Sequence, residues 1–158
     1  MVLKNNTMFQ QIINFFKQQN WEYTAIKGKT IVFLGINGEN GRFQCIADIN
    51  EDEKKFIFYS ICGTNVPDEK RLNMCELLVR LNFGKFLGNF EMDYEDGEIR
   101  YKTSMLFGSE LIEPEILEYT IMTNILTMDT SLSGLMKMIN DNITPIEAFQ
   151  LIENSVND

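Results

Sequence analysis

Few residues of this chain could do chemistry, because the sequence contains no histidine. Without an imidazole, the Ser-His-Asp and Cys-His catalytic arrangements and the H-E-x-x-H zinc helix are excluded. The remaining candidates are a Gly-Lys-Thr triplet, an aspartate-rich turn, a pair of neighbouring acids and the cysteines. The spacing within each of them decides whether it could bind a phosphate, hold a metal ion or move a proton.

Two of these candidates resemble ligand-binding loops but have the wrong spacing. The triplet Gly28–Thr30 matches the end of a P-loop, yet Tyr23 stands where that loop needs its first glycine. The segment Asp48–Asp52 matches the first ligands of a calcium loop, but Glu53 and Tyr59 occupy the positions of its glycine and its final acid. We therefore expect neither a metal ion nor a cofactor.

The neighbouring acids Glu91 and Asp93 could in principle act as an acid and a base. The expected strand places both on an exposed sheet face, where nothing would shift a pKa. We therefore expect no catalytic residue and no enzymatic activity. A cysteine-dependent enzyme remains as an alternative, because a desolvated thiol in a cleft could still act without histidine.

The three cysteines, Cys45, Cys62 and Cys75, form no C-x-x-C pair and no disulfide framework, which fits a reducing compartment. Each lies in an apolar run, so we expect all three to be small buried residues. The N-terminus lacks the apolar core of a signal peptide, and no stretch approaches the roughly 20 apolar residues that span a bilayer. These features together predict a cytoplasmic protein.

The net charge of −9 is unevenly distributed along the chain. Residues 1–79 hold nine basic and nine acidic side chains, whereas residues 80–158 hold five basic and fourteen acidic ones. Such a field repels phosphate backbones and anionic lipid, so we expect neither nucleic acid nor a membrane as partner. Two interpretations of the acidic half stay open: it keeps the protein soluble, or it attracts basic segments of another protein.

The elements that must position these residues begin with an amphipathic helix. Thr7 and Gln10 have the spacing of a capping box, and an apolar stripe of helical period follows them, which predicts a helix over residues 7–19. Short β-rich runs with glycine-rich turns come next and indicate an antiparallel meander. The predicted strands are Trp21–Ile26, Thr30–Ile36, Arg42–Ile49 and Lys55–Ile61.

A second helix is predicted over residues 67–83, between Pro67 and the stop signal Gly84. Its expected apolar face consists of Leu72, Cys75 and Val79, with Leu78 and Leu81 beside them. A hairpin follows, in which Asp96-Gly97 should form a two-residue turn. That register sets Tyr94 opposite Ile99, Met92 opposite Tyr101 and Phe90 opposite Thr103, with Asp93 facing Arg100 and Glu91 facing Lys102. The residues expected on its buried face are Phe90, Met92, Tyr94, Ile99 and Tyr101.

The remainder of the chain is predicted to be helical, with a break at Asp129–Ser131 and a new helix start at Thr144-Pro145. The order is therefore α-ββββ-α-ββ-ααα, an α+β fold in which helices pack on one twisted antiparallel sheet. We expect one domain over residues 1–158, with an α+β core at about 7–110 and a helical tail at 111–158.

Several short motifs in the middle of the chain resemble the YbjN family of bacterial sensory transduction regulators. They are Arg80 and Asn82, the Gly88-Asn89-Phe90-Glu91 run, Asp96-Gly97-Glu98 and Arg100. The Thr144–Ala148 segment is also similar to the family's tail, and the resemblance extends from about Phe9 to Ile152. It implies a fold similar to that of type III secretion chaperones, which are small, acidic, cytosolic and usually dimeric, and it transfers no catalytic residue.

We expect the motif residues to be structural, with Arg80 and Asn82 bonding carbonyl groups at the helix end and near Gly88-Asn89. The resemblance favours a noncatalytic regulatory or chaperone-like module that forms a homodimer and binds another polypeptide in the bacterial cytoplasm. Methionines in the tail could supply an adaptable partner surface, or could fill the core. They are Met122, Met128, Met136 and Met138. The alternative is a small-molecule sensor with a pocket between the sheet and the tail helices.

Overall fold

The computed structural model describes residues 7–108 and 111–156. The helices are α1 Met8–Gln18, α2 Arg71–Asn82, α3 Pro114–Asn140 and α4 Pro145–Val156. The strands are β1 Tyr23–Ala25, β2 Ile31–Asn37, β3 Arg42–Asn50, β4 Lys55–Ile61, β5 Asn89–Met92 and β6 Ile99–Leu106. The strands form one antiparallel sheet in the order β1-β2-β3-β4-β6-β5. The predicted α+β class and antiparallel meander are confirmed.

Helix α1 begins where the capping signal predicts. The Thr7 Oγ1 accepts a hydrogen bond from the Gln10 N–H (3.1 Å), which satisfies one of the unpaired amides of the first turn. The apolar stripe of α1 is buried against the sheet, and the Phe16 and Phe58 rings lie 6.5 Å apart. The helical spacing of this stripe therefore determined which side of α1 enters the core.

The two faces of the sheet have different surroundings. Inward-pointing residues of β2, β3, β4 and β6 are buried beneath α1 and α3, while α2 lies beside β5 and α4 packs on α2 and α3. The alternate residues of β2–β6 point the other way, and none of them is buried. Within the described residues no helix covers this second face, which we refer to as the open face.

The β5–β6 hairpin has a different register from the predicted one. Met92, and not Tyr94, lies opposite Ile99, so the pairing is shifted by two residues. Each side chain still lies on the predicted face of the sheet, because side chains alternate between the faces and a shift of two residues preserves that alternation. Phe90 and Ile99 are accordingly buried, but Tyr94 is 56% exposed. The predictions of an Asp96-Gly97 two-residue turn and of a buried Tyr94 are therefore wrong.

A longer connection, Tyr94–Gly97, replaces the two-residue turn because Gly97 has another contact. The Gly97 N–H donates to the Asp93 carbonyl oxygen (2.8 Å), and the Gly97 carbonyl oxygen accepts from the Val66 N–H (2.8 Å). A Cβ on Gly97 would lie 2.2 Å from the Val66 carbonyl oxygen, so the two backbones meet directly. The segment before α2 thus determines where the hairpin turns.

Helix α2 buries a different side from the expected one. Its buried residues are Met74, Leu77, Leu78 and Leu81, and a short 3₁₀ turn at Asp68–Lys70 precedes it. Leu72 and Val79, expected in the core, are 73% and 68% exposed. Both sets have helical spacing, so the periodicity alone could not choose between them. The prediction of the α2 core face is wrong apart from Leu78 and Leu81.

The tail contains one long helix where the sequence indicated two. Helix α3 continues through Asp129–Ser131, because the polar side chain of Asp129 has tertiary partners and does not end the helix. Its carboxylate accepts hydrogen bonds from the Glu39 and Asn40 N–H groups in the β2–β3 turn. No helix within the described ranges is long and apolar enough to cross a membrane.

Candidate interaction surfaces

Asn82, the last residue of α2, holds the start of β5 through two reciprocal hydrogen bonds. Its Nδ2 donates to the Phe90 carbonyl oxygen (2.9 Å), and its Oδ1 accepts from the Phe90 N–H (2.6 Å). The Phe90 ring meets the Tyr101 ring edge-on, with centroids 4.7 Å apart. Asn82 therefore connects the end of the helix to the edge strand of the sheet.

The loop between α2 and β5 also approaches β6 closely. Gly88 has a φ of +82°, and a Cβ there would lie 2.7 Å from the Lys102 carbonyl oxygen. The Tyr101 hydroxyl donates to the Leu87 carbonyl oxygen (2.6 Å), which fixes the same loop from the other side. Asn89 follows as a half-buried edge residue, with its Nδ2 donating to the Phe90 carbonyl oxygen (3.3 Å). These motif residues hold the backbone in place.

Three further motif residues lie in the β5–β6 loop. The Asp96 Oδ1 accepts from the Glu98 N–H (2.8 Å), and the Asp96 carbonyl oxygen accepts from the Asn65 Nδ2 (3.2 Å). Gly97, with a φ of +82°, lies against the Val66 backbone. The motif residues Asp96, Gly97 and Glu98 thus join the hairpin loop to the segment that leads into α2.

Arg80 does not bond the carbonyl groups at the end of α2, as we expected it to. Its Nε and Nη2 both donate to the Glu76 Oε1, at 2.9 and 2.8 Å, four residues earlier on the same helix. Both side chains lie on the solvent side of α2. An exposed pair of this kind contributes only about 0.3–0.5 kcal/mol to stability, so the fold does not depend on it.

The four tail methionines differ in their burial. Met128 and Met138 are 0% and 2% exposed and belong to the core. Met122 is half-buried, and Met136 is half-buried against the core. Burial therefore supports the interpretation that Met128 and Met138 fill the core, and a partner contact at Met122 and Met136 stays a prediction.

Glu91 is an ion-pair residue on the open face. Its Oε1 accepts from the Arg100 Nε (2.5 Å) and its Oε2 accepts from the Lys102 Nζ (2.8 Å). Burial acts to raise the pKa of Glu91, but the hydrogen bonds and charges of Lys102 and Arg100 outweigh it and hold the pKa below its ordinary value. We expected nothing here to shift a pKa, and that expectation is wrong. Asp93 is exposed in the loop, so the two acids do not share a site.

The cysteine thiols at two positions are too buried to react. Burial raises the pKa of Cys45 to about 12, partly offset by its hydrogen bond with Ser60, and burial also raises the pKa of Cys62. Both therefore stay protonated near neutral pH and are poor nucleophiles. Cys75 is half-exposed on α2, which corrects the expectation that all three are buried. No three acidic or cysteine side chains of residues 7–108 and 111–156 are arranged to hold a metal ion.

The open face of the sheet has an apolar band at its centre. Phe33, Ile46 and Tyr59 lie side by side across β2, β3 and β4, and Ile57 and Ile61 flank Tyr59 along β4. Phe33 is 39% exposed, and the other four are half-buried. A contiguous apolar band that no helix covers is typical of a surface that binds another molecule.

The charged residues around this band are mostly basic. The open-face positions of β3–β6 carry four cations and two carboxylates, namely Arg42, Lys55, Arg100 and Lys102 against Asp48 and Glu91. The Arg100 guanidinium also lies 4.7 Å from the centre of the Tyr59 ring, in a cation–π contact. The whole chain has a charge of −9, so the strand positions of the open face have the opposite sign from the molecule as a whole, with Glu53 beside Lys55 and Glu22 in the adjoining depression as further carboxylates.

The open face has a depression beside β1, where Gly35 has no side chain to fill the space. The depression has a volume of about 1060 Å³, with Gly35, Gln44 and Ile61 among its lining residues and Trp21 beside them. The Arg42 guanidinium reaches over Gly35, with its Nη2 3.6 Å from the place that a Cβ would occupy. The depression therefore combines apolar and polar walls with one exposed cation, Arg42, and one exposed carboxylate, Glu22.

A second uncovered apolar surface runs along α2. Leu72, Val79 and Phe83 repeat at helical spacing on the solvent side and are 73%, 68% and 91% exposed. Phe86, in the loop that follows, is 92% exposed. We refer to these four residues as the α2 stripe. The Glu76–Arg80 ion pair lies along the same side of the helix.

Comparison with known proteins gives a family and a fold. The model of the YbjN family, described as "Putative bacterial sensory transduction regulator", matches residues 9–135. The crystal structure of YbjN from E. coli, described as "a putative transcription regulator", is similar with a TM-score of 0.54 and 7% sequence identity. The similarity covers 94% of this chain and 91% of that chain, and at such low identity it shows a shared fold alone. No curated protein sequence matches the chain.

Proposed function

This chain belongs to the YbjN family, and from that premise we propose that it is a noncatalytic regulator that acts in the bacterial cytoplasm by binding another polypeptide. The observation that carries this proposal is the apolar band of the open face, formed by Phe33, Ile46, Tyr59, Ile57 and Ile61. A sheet that buries one face and leaves an apolar band on the other gains stability when a partner covers that band.

The chemistry of the side chains supports a noncatalytic role. Cys45 and Cys62 are protonated and buried, and Glu91 is already paired with Arg100 and Lys102. A nucleophile needs a nearby base, and a general acid needs a pKa near the working pH, and neither condition is met at these residues.

The alternative of a small-molecule sensor depended on a pocket between the sheet and the tail helices. Direct contacts occupy that place: the Asn124 Nδ2 on α3 donates to the Phe58 carbonyl oxygen (2.9 Å) and to the Thr103 Oγ1 (3.1 Å). Asn124 and Thr103 are both fully buried. Among the described residues the Asn124 Oδ1 is left there without a hydrogen-bond partner, but the contacts close the space around it, so the uncovered apolar band makes a protein partner on the open face the better supported interpretation.

The proposal includes a homodimer, formed through the α2 stripe. An antiparallel pair of α2 helices around a two-fold axis sets Leu72 of one copy near Phe83 of the other, with Val79 close to the axis. The same arrangement brings Glu76 of one copy towards Arg80 of the other, so the charges are self-complementary. The apolar residues of the α2 stripe then lose the exposure that they have in the single chain.

Site-specific photo-crosslinking in the native bacterium tests polypeptide binding. A photoreactive phenylalanine analogue at Phe33 reports on the open face, and the same analogue at Tyr119, which is 58% exposed on α3, serves as the matched control. We expect a discrete protein adduct at position 33 and none at position 119. Equal adducts at both positions, or none at position 33, would contradict the proposed function.

A further inference from the structure

We propose that the open face binds an extended segment of a partner polypeptide in which acidic and apolar residues alternate. This inference rests on the proposed function, because it names the kind of partner that the open face takes. An extended segment presents alternate side chains to opposite sides. When the segment lies on the sheet with its two rows of side chains directed sideways, its apolar row contacts the band around Ile46 and Tyr59, and its acidic row reaches the cations that border the band.

The excess of basic residues at the strand positions of the open face favours an acidic partner over a basic one. The strand positions of the open face carry Arg42, Lys55, Arg100 and Lys102 against two carboxylates, although the whole molecule has a charge of −9. An acidic segment is repelled by most of the surface and attracted by this face, which directs it to one place. A basic segment is attracted elsewhere, to the acidic surface of the second half of the chain.

The cations of the open face are only partly neutralised by the protein itself, since Lys55 pairs with Glu53 (2.8 Å) but the other three share fewer carboxylates. Arg100 and Lys102 share the single carboxylate of Glu91, so one positive charge of that cluster is left over. Arg42 forms no ion pair with the described residues, although Glu22 lines the same depression, and its side chain lies over Gly35. A guanidinium in that position can donate two parallel hydrogen bonds to a partner carboxylate.

The same charges argue against a second copy as the occupant. Two copies packed with their open faces together bring Arg42, Arg100 and Lys102 of each copy towards the same cations of the other. Like charges opposed at an interface cost free energy unless acidic groups intervene, and Asp48 and Glu91 are too few to do so. The open face and the α2 stripe therefore take different partners.

Titration of the full-length protein with synthetic peptides tests this inference. The probe is a short peptide of alternating valine and glutamate, and the matched probe has lysine in place of glutamate. Amide NMR shifts locate the bound peptide, and fluorescence anisotropy gives its dissociation constant. The variant Arg42→Glu removes the unpaired cation, and Lys17→Glu makes the same charge change at an exposed site on α1, on the covered side of the sheet.

We expect the glutamate peptide to shift the amides of Phe33, Ile46 and Tyr59 and to bind at least about tenfold more tightly than the lysine peptide. Arg42→Glu should weaken that binding about tenfold, and Lys17→Glu should leave it within about twofold. Equal affinity for the two peptides, shifts confined to other surfaces, or tighter binding of a single-stranded oligonucleotide at the open face would overturn the inference. If position 33 still gives a protein adduct in the bacterium, the proposed function survives that result and only the acidic partner is wrong.

Discussion

The carboxylate of Asp129, in the middle of α3, accepts a hydrogen bond from the backbone N–H of Asn40 in the β2–β3 turn (3.0 Å). The second carboxylate oxygen accepts from the Glu39 N–H (3.0 Å), and Asp129 itself is only 5% exposed. Gly38 lies so close that a Cβ there would stand 2.0 Å from the Asp129 Oδ1. One buried side chain thus fixes the long helix to the hairpin at the far end of the sheet.

Replacement of Asp129 by alanine is expected to destabilise the protein by about 3 kcal/mol, because two turn amides lose a charged acceptor. Urea denaturation followed by circular dichroism measures the change. The control Asp52→Ala removes an exposed acid from another turn and should change the free energy of unfolding by less than about 0.5 kcal/mol. Equal effects of the two substitutions would show that Asp129 does not anchor the turn.

Asn82→Ala is expected to lower the free energy of unfolding by about 2 kcal/mol, because the Phe90 N–H and carbonyl oxygen both lose their partner. The melting temperature should fall with it. Asn73→Ala, at an exposed position of the same helix, is the matched control and should leave the melting temperature nearly unchanged. If Asn82→Ala melts like the wild type but no longer forms the adduct at position 33, Asn82 is a recognition residue.

Two glycine substitutions separate backbone strain from steric contact. Gly28 has a φ of +76° with open space around it, so Gly28→Ala should cost about 1 kcal/mol. Gly97 has a φ of +82° and lies against Val66, so Gly97→Ala should cost about 3 kcal/mol or more. Thermal unfolding of both variants measures the difference. Equal costs would mean that the Gly97–Val66 contact relaxes easily.

The contribution of Glu91 to stability should depend on pH. Its folded-state pKa lies below the ordinary value of 4.5, so the stabilisation is fully present above pH 4.5 and is lost as the pH falls through the folded-state pKa. Urea denaturation of the wild type and of Glu91→Gln over a pH series measures this contribution. The difference between the two proteins should shrink in acid, and a difference independent of pH would contradict the ion pair with Arg100 and Lys102.

A charge placed in the α2 stripe should prevent self-association, because we propose that the α2 stripe forms the dimer interface. Val79→Glu places a carboxylate on an exposed position, so we expect the variant to fold and to sediment as a monomer of about 18.4 kDa. The wild type should sediment at twice that mass. Leu106→Glu, at a 76% exposed position of the open face, is the control and should remain dimeric. A wild type that sediments at the monomer mass at every loading refutes the dimer.

The sequence determined those parts of the fold that depend on neighbouring residues. The Thr7 cap and the apolar stripe of α1, the strands of the meander and the α+β class follow from periods of 3.6 and 2 along short stretches of chain. Composition alone likewise excluded imidazole catalysis, because the chain contains no histidine. None of these inferences needs a contact between residues that are distant in the chain.

Where a local sequence pattern allowed two arrangements, contacts between distant parts of the chain decided between them. A four-residue loop and a two-residue turn put Phe90 and Tyr101 on the same face, and tertiary contacts of the loop, among them that of Gly97 with Val66, select the longer one. Helix α2 has apolar residues on two sides, and packing against α4 and β5 selects the side that is buried. The basic open face is also a tertiary feature, because Arg42 and Lys102 are far apart in sequence and share a surface only once the strands have paired.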